Sequence, residues 1–239
     1  MITLDGTSSV ENVKSSAEFQ ELILSSGFNP ADPVLVVSDV DSTFIKQEVI
    51  DLLAARCGKG AEVAAITDRA MRGEIDFSES LRNRVATLAE HSVSILTEVR
   101  NQIEYSDGAV DLVNELRDLG HHFALVSGGF QQILEPICHE LKINHYLANR
   151  LEIGKGLLTG KIDGKIVDAD AKAEFLIKTQ DQLGVSPSNV IAIGDGANDI
   201  PMMQAASISV SFNGKPKVQD IADIHISISR YDLIRALFA

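Results

Sequence analysis

Val34-Leu-Val-Val-Ser-Asp39-Val-Asp41-Ser-Thr43 is the stretch that decides the fold. A short apolar run that stops at an acid reads as a buried parallel strand delivering a carboxylate to the carboxyl edge of its sheet. The pattern recurs in Val190-Ile-Ala-Ile-Gly194-Asp195-Gly-Ala-Asn198-Asp199. Ligands of open α/β sheets bind at that edge. Four carboxylates gathered there, on Asp39, Asp41, Asp195 and Asp199, repel one another unless a cation sits among them. Hard oxygen ligands favour Mg²⁺, and Mn²⁺ suits the same donors. The combination predicts a metal-assisted phosphoryl-transfer site.

Working outward, the segment 1–33 is Ser-rich, with Phe19, Leu22 and Ile23 at helical spacing before Pro30 and Pro33. It predicts one packing helix on an N-terminal extension too short to be a domain. Between the first strand and the next buried one, 122–127, the chain is helical in pattern. Glu48–Cys57, Ala61–Met71, Phe77–Glu90 and 94–103 all carry apolar residues three and four apart. Such an insertion sits over the carboxyl edge as a candidate lid.

After Asp107 the pattern alternates. Helices are expected near 108–119, 130–140, 170–183 and 198–206, and strands near 145–148, 190–194, 207–211 and 223–228. A Gly-punctuated hairpin is expected at 151–167. The fold class is therefore α/β, a parallel doubly wound (Rossmann-like) sheet with a helical cap inserted after the first core strand. The expected parts are 1–33 as the extension, 34–46 with 105–239 as the core, and 47–104 as the cap.

Composition narrows the function. The 239 residues carry a net charge of −13, which disfavours nucleic acid and anionic membranes as partners. An acidic protein that handles phosphate must supply positive charge locally, from a metal, a lysine or the N–H groups at a helix start. Cys57 and Cys138 are too few for a disulfide scaffold or a zinc site. No basic leader and no run of 18 apolar residues is present, so a soluble, cytoplasmic protein is expected.

The same motifs admit other meanings. An EF-hand starting at Asp39 would need Gly where Phe44 stands and Glu where Ile50 stands. A dinucleotide fingerprint at 194–199 would need a small residue where Asp199 stands. Ser127-Gly128-Gly129, ending a strand, offers a hydroxyl and N–H groups to phosphate oxygens or is simply a turn. Lys172, at a helix start, is a phosphate ligand or a solvated lysine. A plain acidic loop, an Asp/Gly turn and a solvated helix face are the bland readings of the remainder.

The ordered set DVDST, SGG, a helical Lys and GDGAND resembles the haloacid dehalogenase superfamily of phosphohydrolases, from residue 34 onward. Glu48 in KQEVIDLLA and the string MRGEIDFSESLRNRV (71–85) resemble the cap of its phosphoserine phosphatase family. The resemblance implies Asp39 as nucleophile and Asp41 as general acid and base. It implies Ser127, Gly128, Lys172 and Asn198 around phosphate. Mg²⁺ would sit on Asp39, the Asp41 carbonyl and Asp195, supported by Asp199. Glu48 would meet the substrate ammonium, Arg84 its carboxylate, and Met71 and Phe77 would shield the pocket. The implied reaction is hydrolysis of O-phospho-L-serine, the last step of serine biosynthesis. Transfer to another alcohol such as homoserine, hydrolysis of another small phosphomonoester, and a non-catalytic phospholigand sensor stay open as alternatives.

Overall fold

A computed structural model describes residues 1–238; position 239, the end of the expected core segment, lies outside them. The strands are β1 (Ile2–Leu4), β2 (Leu35–Ser38), β3 (His122–Phe130), β4 (His145–Gly154), β5 (Leu157–Asp163), β6 (Val190–Gly194), β7 (Ile208–Phe212) and β8 (Ile224–Ile226). They form one sheet in the order β1-β8-β7-β6-β2-β3-β4-β5, parallel throughout except for the β4–β5 pair.

β2 lies near the middle, and Val34 to Val37 have no exposed surface. Successive residues of a strand face opposite sides. Val36 accordingly packs with Phe123, Leu125, Ile191 and Ile193 in one hydrophobic layer, while Leu35 and Val37 join Ala124, Val126, Val190 and Ala192 in the other. Both faces must then be covered, which is why these strands read as continuous apolar runs rather than alternating ones.

Helices α1 (Val10–Ser15) and α2 (Ala17–Ser26) precede β2. Four more, α3 (Val49–Arg56), α4 (Gly60–Met71), α5 (Phe77–Ala86) and α6 (Ser94–Arg100), lie between β2 and β3. The others are α7 (Ala109–Asp118), α8 (Gln131–Leu141), α9 (Ala169–Leu183), α10 (Ile200–Ala205) and α11 (Pro216–Gln219). Leu112 and Leu116 of α7 pack in the first layer, whereas Leu176 of α9 and Met202 and Met203 of α10 pack in the second. Among the described residues no helix is long and apolar enough to cross a membrane.

Three differences from the expectation bear most on the fold. The single N-terminal helix is split at Ser16, whose hydroxyl donates to the Val13 carbonyl at 2.9 Å and accepts from the Phe19 N–H at 3.3 Å. A serine that caps one helix while ending another competes with a continuous ladder. Residues 2–4, given no element from sequence, pair with β8 as an edge strand. The strand near 145–148 and the first arm of the hairpin are one strand, β4, parallel to β3 at its start and antiparallel to β5 from Arg150 onward.

That hairpin meets the inserted helices. The Glu90 N–H donates to the Leu158 carbonyl at 2.9 Å and the Leu158 N–H to the His91 carbonyl at 2.8 Å. Gly160, at φ +77°, comes so close to Ala86 and Ala89 that an added Cβ would lie 2.9 Å from the Ala89 methyl. Only a residue without a side chain tolerates both that backbone and that approach.

Candidate active site

Register brings the acids together. Ser38 of β2 pairs with Ile193 of β6 and Leu125 of β3, so Asp39 just past β2 and Asp195 just past β6 meet at the carboxyl edge, beside Ser127 of β3, whose strand runs on to Phe130 rather than ending at 127. The Asp39 N–H donates to the Ile193 carbonyl at 2.9 Å, fixing the first residue beyond the strand. The chain then turns tightly over 40–44, with Ser42 in the left-handed region at φ 58°. That conformation is uncommon for a residue with a Cβ and tends to occur where function constrains the backbone.

Lys172 is the cation at the centre. It lies one turn into α9, which Asp168 caps by accepting from the Ala171 N–H at 3.0 Å. Its ammonium is wholly buried, donating to Asp39 Oδ1 and, at 2.6 Å, to Asp199 Oδ1. A lysine is rarely buried without such partners. Burial alone would push its pKa down; Asp199 and Asp39 outweigh it and hold the group charged.

One ammonium does not neutralise the acids around it. Burial, then Asp199, holds the Asp39 carboxyl well above the usual carboxylate range against the pull of Lys172. Burial, then Asp199, pushes Asp195 up to about 7, opposed by Lys215. Burial, then Glu48, pushes Asp41 up to about 6, although its oxygens accept from the Val49 N–H and the Ser127 hydroxyl, each at 2.8 Å.

Carboxylate oxygens of Asp39, Asp195 and Asp199 lie within 4.8 Å of one another. Such a set of hard donors fits a divalent cation, which would relieve the repulsion that raises these groups. Asp199 has both oxygens engaged, one by Lys172 and the other by the N–H groups of Asp195 (3.2 Å) and Gly196 (3.0 Å). It is better placed to hold the loop than to face a ligand.

A cavity of about 270 Å³ opens above these acids. Of the residues expected from sequence, Asp39, Asp41, Glu48, Met71, Phe77, Arg84, Gly128, Asp195 and Asn198 line it. Ser127, Lys172 and Asp199 stand behind this lining, buried. Ser127 is spanned by two hydrogen bonds, accepting from the Gly129 N–H at 2.7 Å while donating to Asp41. Glu48 accepts from the Ser42 hydroxyl at 2.7 Å. Arg84 reaches back to the Ser80 carbonyl at 3.4 Å. Burial lowers the Arg84 pKa, with Glu48, Asp51 and Asp41 opposing the shift.

The inserted helices touch the core at this point. Phe77 presses on Gly128, where an added Cβ would lie 2.9 Å from the Phe77 ring. Met71 lines the cavity yet is 71% exposed, so in this conformation it shields little. Sequence reasoning passed over Asp51, which lines the cavity three residues after Glu48 on the next helical turn. It also passed over Lys215, in the loop between β7 and α11. The available signals were helical spacing from Glu48 and a lysine just beyond an apolar run.

Comparison with known proteins agrees with this geometry. Residues 36–204 match the family model of the haloacid dehalogenase-like hydrolases. A phosphoserine phosphatase of Lactococcus lactis subsp. lactis is 46% identical over 192 residues, covering 80% of this chain and 89% of its own length. Phosphoserine phosphatase SerB2 of Mycobacterium tuberculosis is 46% identical over 200 residues, 84% of this chain and 49% of its own. The chain thus spans about half the length of the mycobacterial relative. A solved structure described as a phospho-aspartyl intermediate analogue of phosphoserine phosphatase superposes with a TM-score of 0.80 at 35% identity, over 85% of this chain and 97% of that one. From the sheet register, the acid-lined edge and these matches together, the chain belongs to the haloacid dehalogenase-like hydrolase family, and its relatives there are phosphoserine phosphatases.

Proposed function

We propose that the chain hydrolyses O-phospho-L-serine to L-serine and phosphate, with Mg²⁺ bound, through a phosphoryl group carried briefly on Asp39. One observation carries the reading: a single cavity holds Asp39, Asp41 and Asp195 from the core together with Glu48 and Arg84 from the inserted helices. Phosphoserine has a phosphate, an ammonium and a carboxylate. A selective site therefore needs a phosphate cradle, an acid and a planar bidentate cation.

In this scheme an oxygen of Asp39 forms a bond to phosphorus as the bond from phosphorus to the seryl oxygen breaks, and Asp41 gives its proton to that oxygen. Asp41 then takes a proton from water, whose oxygen attacks phosphorus while the Asp39–phosphorus bond breaks and phosphate departs. Lys172 holds Asp39 in place, and Ser127, Gly128 and Asn198 orient the phosphoryl oxygens. Residues 47–104 act as the cap, with Met71 and Phe77 excluding water when it closes. Asp39, the Asp41 carbonyl and Asp195, with Asp199 in support, would hold Mg²⁺, which would supply the charge neutralisation that lets an anion approach a phosphate. The reaction is placed in the cytoplasm, which two separate free thiols, Cys57 and Cys138, suit.

The test is phosphate release with Mg²⁺ from phosphoserine, phosphothreonine and phosphoethanolamine. Phosphoserine should be preferred, and a flat profile would contradict the reading. Arg84→Ala should raise KM for phosphoserine by roughly tenfold or more, the loss of one charge-assisted pair. Its effect on phosphoethanolamine, which has no carboxylate, should be small, and equal losses on both would remove Arg84 from carboxylate binding.

Stability should report the metal as well. Asp195 and Asp41 titrate at about 7 and about 6 in the fold, against roughly 4 in an unfolded chain. Groups raised in this way add stability that is complete below the unfolded value and is lost as pH rises through the folded one. The melting temperature of metal-free protein should therefore fall between pH 4 and 7. Mg²⁺ should restore it most at pH 7 and least at pH 5, and an increment independent of pH would contradict this placement of the metal.

A further inference from the structure

The cavity has few cations. Five carboxylates line it, on Asp39, Asp41, Glu48, Asp51 and Asp195, against one guanidinium, Arg84, and one ammonium, Lys215. Arg84 belongs to the inserted helices and is half-buried, whereas Lys215 belongs to the core and is exposed. Among the described residues Lys215 pairs with no carboxylate within 4.0 Å.

Its backbone is nonetheless fixed. The Lys215 N–H donates to the Asp195 carbonyl at 2.9 Å, and its own carbonyl accepts from Val218 (2.8 Å) and Gln219 (3.1 Å) at the start of α11. Pro216 follows at the first helical position, where a locked φ further restrains the chain. A flexible, unpaired ammonium thus rises from a rigid root beside Asp195.

Lys215 also lines a second, wider space. A groove of about 970 Å³ runs between the α4–α5 turn and the starts of α9 and α11, sharing Thr67, Met71, Phe77, Arg84, Asn198 and Lys215 with the cavity. That shared lining makes the groove the approach to the acids. A phosphate monoester entering a protein of net charge −13 meets repulsion unless a cation stands on its path.

Building on the phosphatase reading, we propose that Lys215 is the residue that captures the phosphate group of the incoming substrate at the mouth of the cavity and holds the departing phosphate there. The bonds broken and formed do not involve it, so its effect falls on binding rather than on the chemical step. Seryl groups alone gain nothing from it.

The test is Lys215→Met, with Lys215→Arg as the charge-preserving control. For Lys215→Met, KM for phosphoserine should rise by roughly tenfold, the loss of a charge-assisted contact, with kcat within about twofold of wild type. Inhibition by inorganic phosphate should weaken by a similar factor while inhibition by L-serine is unchanged. The difference from wild type should shrink as ionic strength rises, and Lys215→Arg should restore most of the binding. Unchanged phosphate inhibition, or equal weakening of phosphate and serine, would overturn the proposal. Calorimetric titration of the Mg²⁺-loaded protein with inorganic phosphate needs no turnover. If wild type fails to hydrolyse phosphoserine, the phosphatase reading falls, and the phosphate affinities of wild type and Lys215→Met still decide the role of Lys215.

Discussion

Asp39→Asn is expected to abolish phosphate release from phosphoserine, lowering kcat by roughly 10³-fold or more, as loss of a covalent nucleophile does. The fold should survive. Asparagine matches aspartate in shape, the Asp39 N–H stays bonded to Ile193, and Lys172 keeps Asp199 as its counter-charge. Removing one charge from acids that burial and mutual repulsion already push upward should leave the metal-free melting temperature equal or higher. A stable variant that retains appreciable turnover would exclude Asp39 from attack on phosphorus. A variant that unfolds would instead mean that the Asp39–Lys172 pair contributes more to stability than repulsion among the carboxylates removes.

Lys172→Met should have the next largest effect, on activity and stability together. The side chain is fully buried between Asp39 and Asp199, and an apolar replacement leaves two carboxylates confined without a cation. Breaking a buried pair by deleting one partner costs about 3 kcal/mol or more, and a chain of this size would lose roughly 6–12 °C in Tm. Protonation of the stranded acids relieves the penalty, so the loss should be largest at neutral pH and shrink as pH falls. Adding Asp39→Asn to Lys172→Met should recover part of the stability and none of the activity. Thermal melts across pH give the answer, and a loss that does not vary with pH would point to packing rather than charge.

The features legible in the sequence were those whose cause is local. Val34–Val37 and Val190–Ile193 had to be buried on both faces because they have no polar side, and the acids ending them had to lie at one edge because neighbouring parallel strands end together. The insertion was visible through its helical spacing. What escaped depended on distant partners. Three residues at 2–4 become a strand only because β8, more than 200 residues later, supplies the ladder. Ser16 divides a helix through two hydroxyl bonds that periodicity does not register.

The candidate site divides in the same way. Asp39, Asp41 and Asp195 were named from motif and spacing and Glu48 from the family resemblance, and the four converge on one cavity. Lys172 was placed on the right helix, but no local pattern tells a fully buried lysine from a solvated one; two acids from other segments decide it. Asp51 and Lys215 carry no motif, and the weak local signals they do carry gain meaning once α3 and the loop after β7 meet above the sheet. Met71, given a shielding role by the resemblance, is exposed here, and under the proposed function it shields the pocket only when the cap closes.

The most direct measurement traps the covalent intermediate. Protein turning over phosphoserine with Mg²⁺ is quenched, treated with sodium borohydride, which reduces an acyl phosphate to an alcohol, and mapped by peptide mass spectrometry. The expected result is homoserine in place of aspartate at position 39 and at no other acid, absent when substrate is omitted. An intact Asp39 in protein quenched during rapid turnover, or reduction at a different carboxylate, would contradict attack by Asp39.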